Sequence, residues 1–216
     1  MQIYEYDKRN NRGLQLFAEK YLDEASIIAD FVKYLKARGC SQGRVYKYIY
    51  TLKTLRGLLD KPFRDVTKED LINLFDKLSY SNYKENTIKD FKVVLKMFYR
   101  WLYKTDDYPD LVRWFKATVK KSKELPPESI LTKEEVMLMA NTANIRDRAL
   151  ILTLYESGCR IGELLNLKIK DVVFDTYGCY LLVTGKTGWR RVRLIEFSGD
   201  LLRWLDQHPK KQDPDA

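Results

Sequence analysis

The sequence predicts a mainly α-helical protein with a small antiparallel β-sheet, arranged as two domains. Three observations predict this. Apolar residues recur at three- and four-residue spacing through most of residues 21–118. A charged stretch holding the Pro126-Pro127 pair interrupts regular structure over residues 119–129. After residue 170 the period changes from helical to alternating over three short runs. With 216 residues, each half is long enough to bury its own core.

Residues 1–20 have weak periodicity and are expected to form a loosely held arm. From Tyr21 to Arg38 the positions Leu22, Ala25, Ile28, Phe31, Val32 and Leu35 share one helical face, and Gly39 stops the helix. Ser41 caps a second helix carrying Val45, Tyr48, Ile49, Leu52, Leu55 and Leu59, and Pro62 ends that region. Thr67 to Asp70 is a capping-box pattern ahead of Leu71, Leu74, Phe75 and Leu78. A fourth helix is expected from about Glu85 to Lys104, with Ile88, Phe91, Val94, Leu95, Phe98 and Leu102 inward, and residues 111–118 extend the unit.

The second domain, 130–216, opens on another capping box, Thr132 to Glu135. Asn144 caps a further helix through Tyr155, and Ser157-Gly158 breaks it. Arg160 to Leu167 reads as a short helix. Strands are expected at 171–174, 180–184 and 190–195, with turns at Tyr177-Gly178 and at Gly185-Lys186-Thr187-Gly188. A last helix spans Gly199 to His208, followed by a polar tail, Pro209 to Ala216, that reads as a stop ahead of a further loop.

Net charge is +9 and unevenly spread: residues 1–125 hold 26 Lys and Arg against 17 Asp and Glu, whereas the remainder holds 13 of each. A basic domain joined to a neutral one points to a polyanion meeting the first half, although a merely soluble basic surface has the same composition. No basic stretch with an apolar run opens the chain, and no segment reaches ~18 uninterrupted apolar residues, so neither a signal peptide nor a membrane span is expected. Cys40, Cys159 and Cys179 lack metal-ligand spacing and read as reduced cytoplasmic thiols. A single histidine, His208, excludes a His-rich metal site.

The segment from Glu156 to Val172 carries the chemistry. Gly158 ends one helix just before Arg160 begins the next, which places a guanidinium and backbone N–H groups where a phosphate can meet both. Glu163 lies one turn on, on the same face, and can hold Arg160, while Leu164, Leu165 and Leu167 anchor the helix. Alone, an Arg-x-x-Glu pair is ordinarily a solvated ion pair.

The whole string resembles the first active-site box of the tyrosine recombinases, where a Gly precedes the Arg and Glu-Leu follows two residues after it. In that family a three-stranded sheet comes next, with a lysine in the hairpin between its second and third strands; here that hairpin carries Lys186. A basic, all-helical domain also precedes the box, as in the family. The resemblance runs from about residue 21 to 208 and is nearest phage-type integrases and the Xer-like recombinases of bacteria and archaea. The one departure within the box is Gly162 ahead of Glu163.

The resemblance implies a SAM-like core-binding domain (21–118), a linker (119–129) and the N-terminal part of an α+β catalytic domain (130–216). It implies phosphoryl transfer without metal or cofactor: a tyrosine attacks a DNA phosphodiester, a 3′-phosphotyrosyl bond forms, and the 5′-hydroxyl leaves. Arg160 matches an arginine that stabilises charge on the nonbridging oxygens, Lys186 the lysine that protonates the leaving oxygen, and Glu163 the supporting acid. Read without the family, Lys186 is an ordinary solvent-facing hairpin lysine. The family's His-x-x-Arg box, a later His or Trp and the nucleophilic Tyr belong beyond the third strand, and the sequence supplies none of them. His208 follows Lys186 too soon and is expected to cap the last helix, and Tyr177 and Tyr180 are expected to be structural. The 216 residues alone are therefore expected not to cleave DNA.

Double-stranded DNA is the expected partner, held in a clamp closed by the two domains. Arg44, Lys47 and Lys53 of the second helix, Lys84, Asn86, Thr87, Lys89, Lys92 and Lys96 around the fourth, and Lys120, Lys121 and Lys123 of the linker are the candidate contacts. Most would set position on phosphates; Arg44 or Asn86 could read base edges. Arg190, Arg191 and Arg193 either touch the backbone or cover an exposed sheet face. A tetramer on DNA is expected of a full-length protein, and a cytoplasmic monomer of this chain. Two other readings remain: a naturally shortened integrase-like regulator that binds the same DNA, and a helical scaffold for another protein, which would ignore DNA and salt.

Overall fold

A computed structural model of the chain describes residues 5–118, 127–185 and 188–216. They divide into two compact units, one within residues 4–123 and one within 124–216.

The first unit is all helical: α1 (Tyr6–Lys20), α2 (Ala25–Ala37), α3 (Gln42–Leu59), α4 (Lys68–Ser79), α5 (Glu85–Leu102) and the single turn α6 (Asp110–Arg113). Residues 6–20 are thus a helix and not an arm. Phe17 is fully buried, Gly13 lies close against Ile49 and Tyr50 of α3, and buried Asn10 donates to the Gln42 carbonyl at 3.2 Å and to its side chain at 2.9 Å. Periodicity missed α1 because two of its inward positions are a glycine and an asparagine.

The cap signals act as the sequence predicts. Ser41 Oγ accepts from the Arg44 N–H, and Thr67 and Asp70 bond reciprocally across the first turn of α4. Bonds from Lys61 and Thr67 hold the Asp70 carboxyl down to about 2. The core centres on Phe31, Phe63, Phe98 and Tyr99, whose rings meet at tilted or edge-on angles. The Tyr99 hydroxyl donates to the Phe63 carbonyl at 3.0 Å, and burial drives its pKa far above the usual phenol range. Under this core Glu24, 2% exposed, accepts from Arg56 Nε at 2.5 Å and from the Phe63 N–H at 2.7 Å.

The second unit opens with α7 (Lys133–Thr142) and α8 (Ile145–Ser157), capped by Thr132 and Asn144. Gly158 at φ +60° ends α8, a conformation that favours glycine, and leads into α9 (Ile161–Leu164). Strands β1 (Val172–Asp175), β2 (Gly178–Gly185) and β3 (Gly188–Leu194) form one antiparallel sheet in the order 1-2-3, and α10 (Ser198–Asp206) follows. Cys179, Leu181 and Val183 of β2 and Leu194 of β3 are buried, so one sheet face packs inward. Register pairs Val183 with Arg190 and Thr184 with Trp189. The tail is not loose: the Ile169 and Lys170 N–H groups donate to the Ala216 and Pro214 carbonyls, each at 3.0 Å, and Asp215 pairs with Lys168 and Lys170.

Glu156, near the end of α8, accepts three successive backbone N–H groups, from Ile195, Glu196 and Phe197, at 2.5, 3.0 and 2.9 Å. It fastens the β3–α10 junction to α8. Glu156→Ala strips an acceptor from all three and is expected to cost about 2 kcal/mol. Urea denaturation of the two proteins measures the loss, and an unchanged midpoint would show the contact to be idle.

Candidate functional site

Gly158 and the first turn of α9 set the site. Arg160 is the residue just before α9, in extended conformation (φ −68°, ψ 145°), with its side chain 72% exposed. Glu163, three residues on, is buried. Its carboxylate reaches back to accept the Arg160 N–H at 3.0 Å and the Arg160 Nη1 at 2.9 Å. From β3, Arg190 grips the same carboxylate with both terminal nitrogens, at 3.2 and 2.7 Å. The bonds from Arg190 and then from Arg160 lower the Glu163 pKa to about 2, so it stays ionised and is no proton donor or acceptor near neutral pH. Arg190 spends its donors on Glu163, whereas Arg160 commits only Nη1 among the described residues and keeps the rest of its fork toward solvent. The result is one oriented, exposed guanidinium on a fixed carboxylate.

Gly185 completes the cluster. A Cβ there would fall inside van der Waals contact of Glu163 Oε1 and 3.5 Å from Arg190 Nη1, so only glycine lets the end of β2 lie over the carboxylate. Glu163 thereby joins the start of α9 to the β2–β3 hairpin. Lys186 lies outside the described residues, as do Lys120, Lys121 and Lys123 of the linker. A cavity of about 510 Å³ in this unit is lined by apolar groups such as Leu164, Val172, Leu201 and Trp204 and does not include Arg160, Glu163 or Arg190. Arg160 stands on open surface, accessible to a polymer. Among the described residues no three His, Cys, Asp or Glu cluster as metal ligands would, and no helix is long and apolar enough to cross a membrane.

The three arginines of β3 divide between its two faces. Arg190 does not share a face with its neighbours: it points with Val192 and Leu194 toward Glu163, because alternation along the strand puts it opposite Val183. Arg191 and Arg193 project from the other face. Arg193 pairs with Asp175 at 2.7 Å, and Arg191 lies over the Tyr180 ring, 5.1 Å from its centroid.

The helical unit does not gather its candidate contacts on one surface. Exposed Arg44 and Lys47 flank α5 on one side, where Lys47 pairs with Asp90 at 2.7 Å and exposed Asn86 shares the Asp90 side of the helix. Arg38, which periodicity did not single out, joins this side through bonds to Tyr34 and Met97. Lys89, Lys92 and Lys96 run along another stripe of α5. Lys92 lies over Phe75 at 4.9 Å, and Lys96 lies over Tyr108 and Phe115 at 4.9 and 5.1 Å. Exposed Lys84 precedes the helix. Two residues separate from these sets. Lys53 is half a turn round α3 from Arg44 and lines a shallow hollow with Lys20 and Tyr50. Thr87 shares the buried stripe of Phe91, Val94 and Phe98 and is half-buried. The aromatic shelf beneath the lysines could not be read from the sequence, since it joins α4, α5 and the segment around α6.

Two family models match the chain: the phage integrase family over residues 129–215, and the phage integrase N-terminal SAM-like domain over residues 27–108. The tyrosine recombinase XerA of Pyrococcus horikoshii is 29% identical over 187 residues, which is 86% of this chain and 61% of that protein. The chain therefore spans about three fifths of this relative's length. Among solved structures, a lambda integrase dimer bound to a COC′ core site aligns with a TM-score of 0.63 at 21% identity, over 84% of this chain and 53% of that one. The XerH recombinase in its pre-cleavage complex with difH substrate aligns at 0.57 and 21%, over 83% and 55%. At that identity the two structures establish a shared fold: a helical SAM-like unit followed by an integrase catalytic unit with a three-stranded sheet.

Proposed function

Because the chain belongs to the phage integrase family, the tyrosine recombinases, we propose that it binds duplex DNA and serves site-specific recombination through a 3′-phosphotyrosyl intermediate. The observation that carries this reading is the exposed Arg160 guanidinium, held by a buried Glu163 that is ionised near neutral pH. Such a group can donate to two nonbridging phosphate oxygens without having to be oriented at the moment of reaction. In the reaction of a whole recombinase a tyrosine phenolate, its proton already lost to solvent, bonds to phosphorus, the bond to the 5′ oxygen breaks, and Lys186 gives that oxygen a proton. Glu163 positions Arg160 and transfers no proton.

The strand-breaking activity and the assembly on DNA belong to a whole recombinase. For these 216 residues the proposal is DNA binding without covalent capture. Their one histidine, His208, is followed by Pro209-Lys210-Lys211, and no tyrosine follows Tyr180. The Arg44, Lys47 and Asn86 face and the Lys89, Lys92 and Lys96 stripe are the proposed phosphate contacts of the helical unit, working where the host's DNA lies, in a prokaryotic cytoplasm.

Fluorescence anisotropy with a mixed-sequence duplex tests this. Binding is expected to weaken with salt, by about 0.9 in log affinity per log unit of salt for each phosphate neutralised. Arg160→Ala is expected to lower affinity about five- to tenfold and to reduce the slope by about one. On a nicked duplex that traps a covalent adduct, none is expected. Salt-independent or absent binding overturns the reading, and a covalent adduct overturns the absence of a nucleophile.

A further inference from the structure

The outer face of the β-sheet holds an exposed aromatic–cation pair that the Arg160 cluster does not use. Alternation puts Thr184 on this face with its partner Trp189, and Tyr180 with its partner Arg193. Trp189 is 72% exposed. An indole is among the largest apolar side chains, and leaving most of it in water forgoes much of the burial that usually justifies a tryptophan. Two residues along, Arg191 lies over Tyr180, 5.1 Å from the ring centroid, and no carboxylate among the described residues pairs with it. The cation is thus preordered by stacking and left unneutralised. On the same strand, pointing the opposite way, Arg190 joins Glu163 and Arg160. One strand therefore presents a phosphate-type site on one face and a flat aromatic next to an unpaired guanidinium on the other.

We infer that Trp189 and Arg191 form a second DNA contact, in which the indole lies against the sugars and base edges of a groove and Arg191 takes a flanking phosphate. The inference rests on the DNA-binding reading above. Charge selects the partner: Arg191 needs an anion, and the acid on its face, Asp175, is already taken by Arg193. Shape refines it, because a planar indole with one N–H donor gains from ring faces and sugars that a bare polyanion lacks. The contact is continuous with the Arg160 site through β3 itself.

The test uses the intact 216-residue chain, with Trp189→Phe, Trp189→Ala and Arg191→Ala, a mixed-sequence duplex and inorganic polyphosphate as probes. Both side chains are exposed, and thermal unfolding checks that the variants fold. The difference in emission between wild type and Trp189→Phe isolates this indole from the other three. Duplex DNA is expected to quench that difference signal and polyphosphate to leave it unmoved. Trp189→Ala is expected to weaken duplex binding about tenfold, with Trp189→Phe retaining most of it; Arg191→Ala is expected to weaken it about fivefold and to lower the salt slope by about one. If wild type does not bind the duplex, the functional reading fails. If it binds, but both alanine variants match it and the Trp189 signal stays still, that reading stands and this inference falls. A Trp189 signal that follows protein concentration and ignores DNA would assign the face to a second copy of the chain and equally overturn it.

Discussion

Glu24→Ala is expected to destabilise the helical unit by about 3–5 kcal/mol, more than any other single change to a polar residue there. Glu24 sits in the short turn before α2 and is 2% exposed. It is the point where three pieces of chain meet: its own turn, α3 through Arg56, and the α3–α4 connection through the Phe63 N–H. Arg56 is itself buried, its guanidinium 4.7 Å from the centre of the Tyr21 ring. Removing the carboxylate strands a cation and an amide donor in a place water barely reaches, and the penalty comes mainly from those orphans. Urea denaturation should show the helical unit's midpoint falling by roughly 2 M, at about 2 kcal/mol per M. Two controls identify the cause. Glu24→Gln keeps an acceptor for Phe63 yet leaves Arg56 only the more exposed Asp23 carboxylate, 3.8 Å away, and should recover only part of the loss. Glu24→Met with Arg56→Met removes both charges and should be less harmful than the sum of the single changes. An alanine variant within about 1 kcal/mol of wild type would mean that the pair contributes little beyond filling space.

Glu24 also marks where reading the sequence stops. Helices α2 to α5 were legible because their buried positions, Arg56 apart, are apolar and recur at 3.6-residue spacing. Nothing in the local sequence separates Glu24 from the more exposed Asp23 beside it; both reach Arg56, and it is the close bond from Arg56 together with the Phe63 N–H, 39 residues on, that sets Glu24 apart. Helix α1 escaped for a related reason, since Asn10 and Gly13 pack inward without looking apolar. The strands were legible from the change of period, but treating Arg190, Arg191 and Arg193 as one set overlooks the alternation along β3, which groups Arg190 with Val192 and Leu194. Similarly, nine residues along a helix amount to two and a half turns, so spacing alone sets Lys53 on the opposite side of α3 from Arg44. What periodicity could not supply was the far partner: Phe75 under Lys92, or the second guanidinium on Glu163.

Acid should expose the Glu163 cluster. The bonds from Arg190 and Arg160 put the carboxyl at about 2 in the folded chain, against an ordinary 4.5. A depressed pKa means the unfolded chain takes up the proton first, so the stabilisation is complete above about pH 5 and drains away as pH falls through the window down to about 2. Glu163→Gln cannot titrate. The gap in stability between wild type and Glu163→Gln should therefore be constant above about pH 5, narrow steadily below it, and close near about pH 2. Acid loss from Asp70 and Asp215, also held near 2, is common to both proteins and cancels in the difference. Gly185 approaches the same contact from the other strand. Gly185→Ala puts a methyl where Oε1 sits and should push the carboxylate off both arginines, reproducing much of the Glu163→Gln defect and flattening the pH dependence. Combining Gly185→Ala with Glu163→Ala removes the obstacle along with the carboxylate, so the double variant should be more stable than the sum of the two singles predicts. Strict additivity, or a gap that persists unchanged at about pH 2, would mean that Glu163 and the β2–β3 hairpin are not coupled. In that case Arg160 would have to owe its position to Gly158 and the first turn of α9 alone.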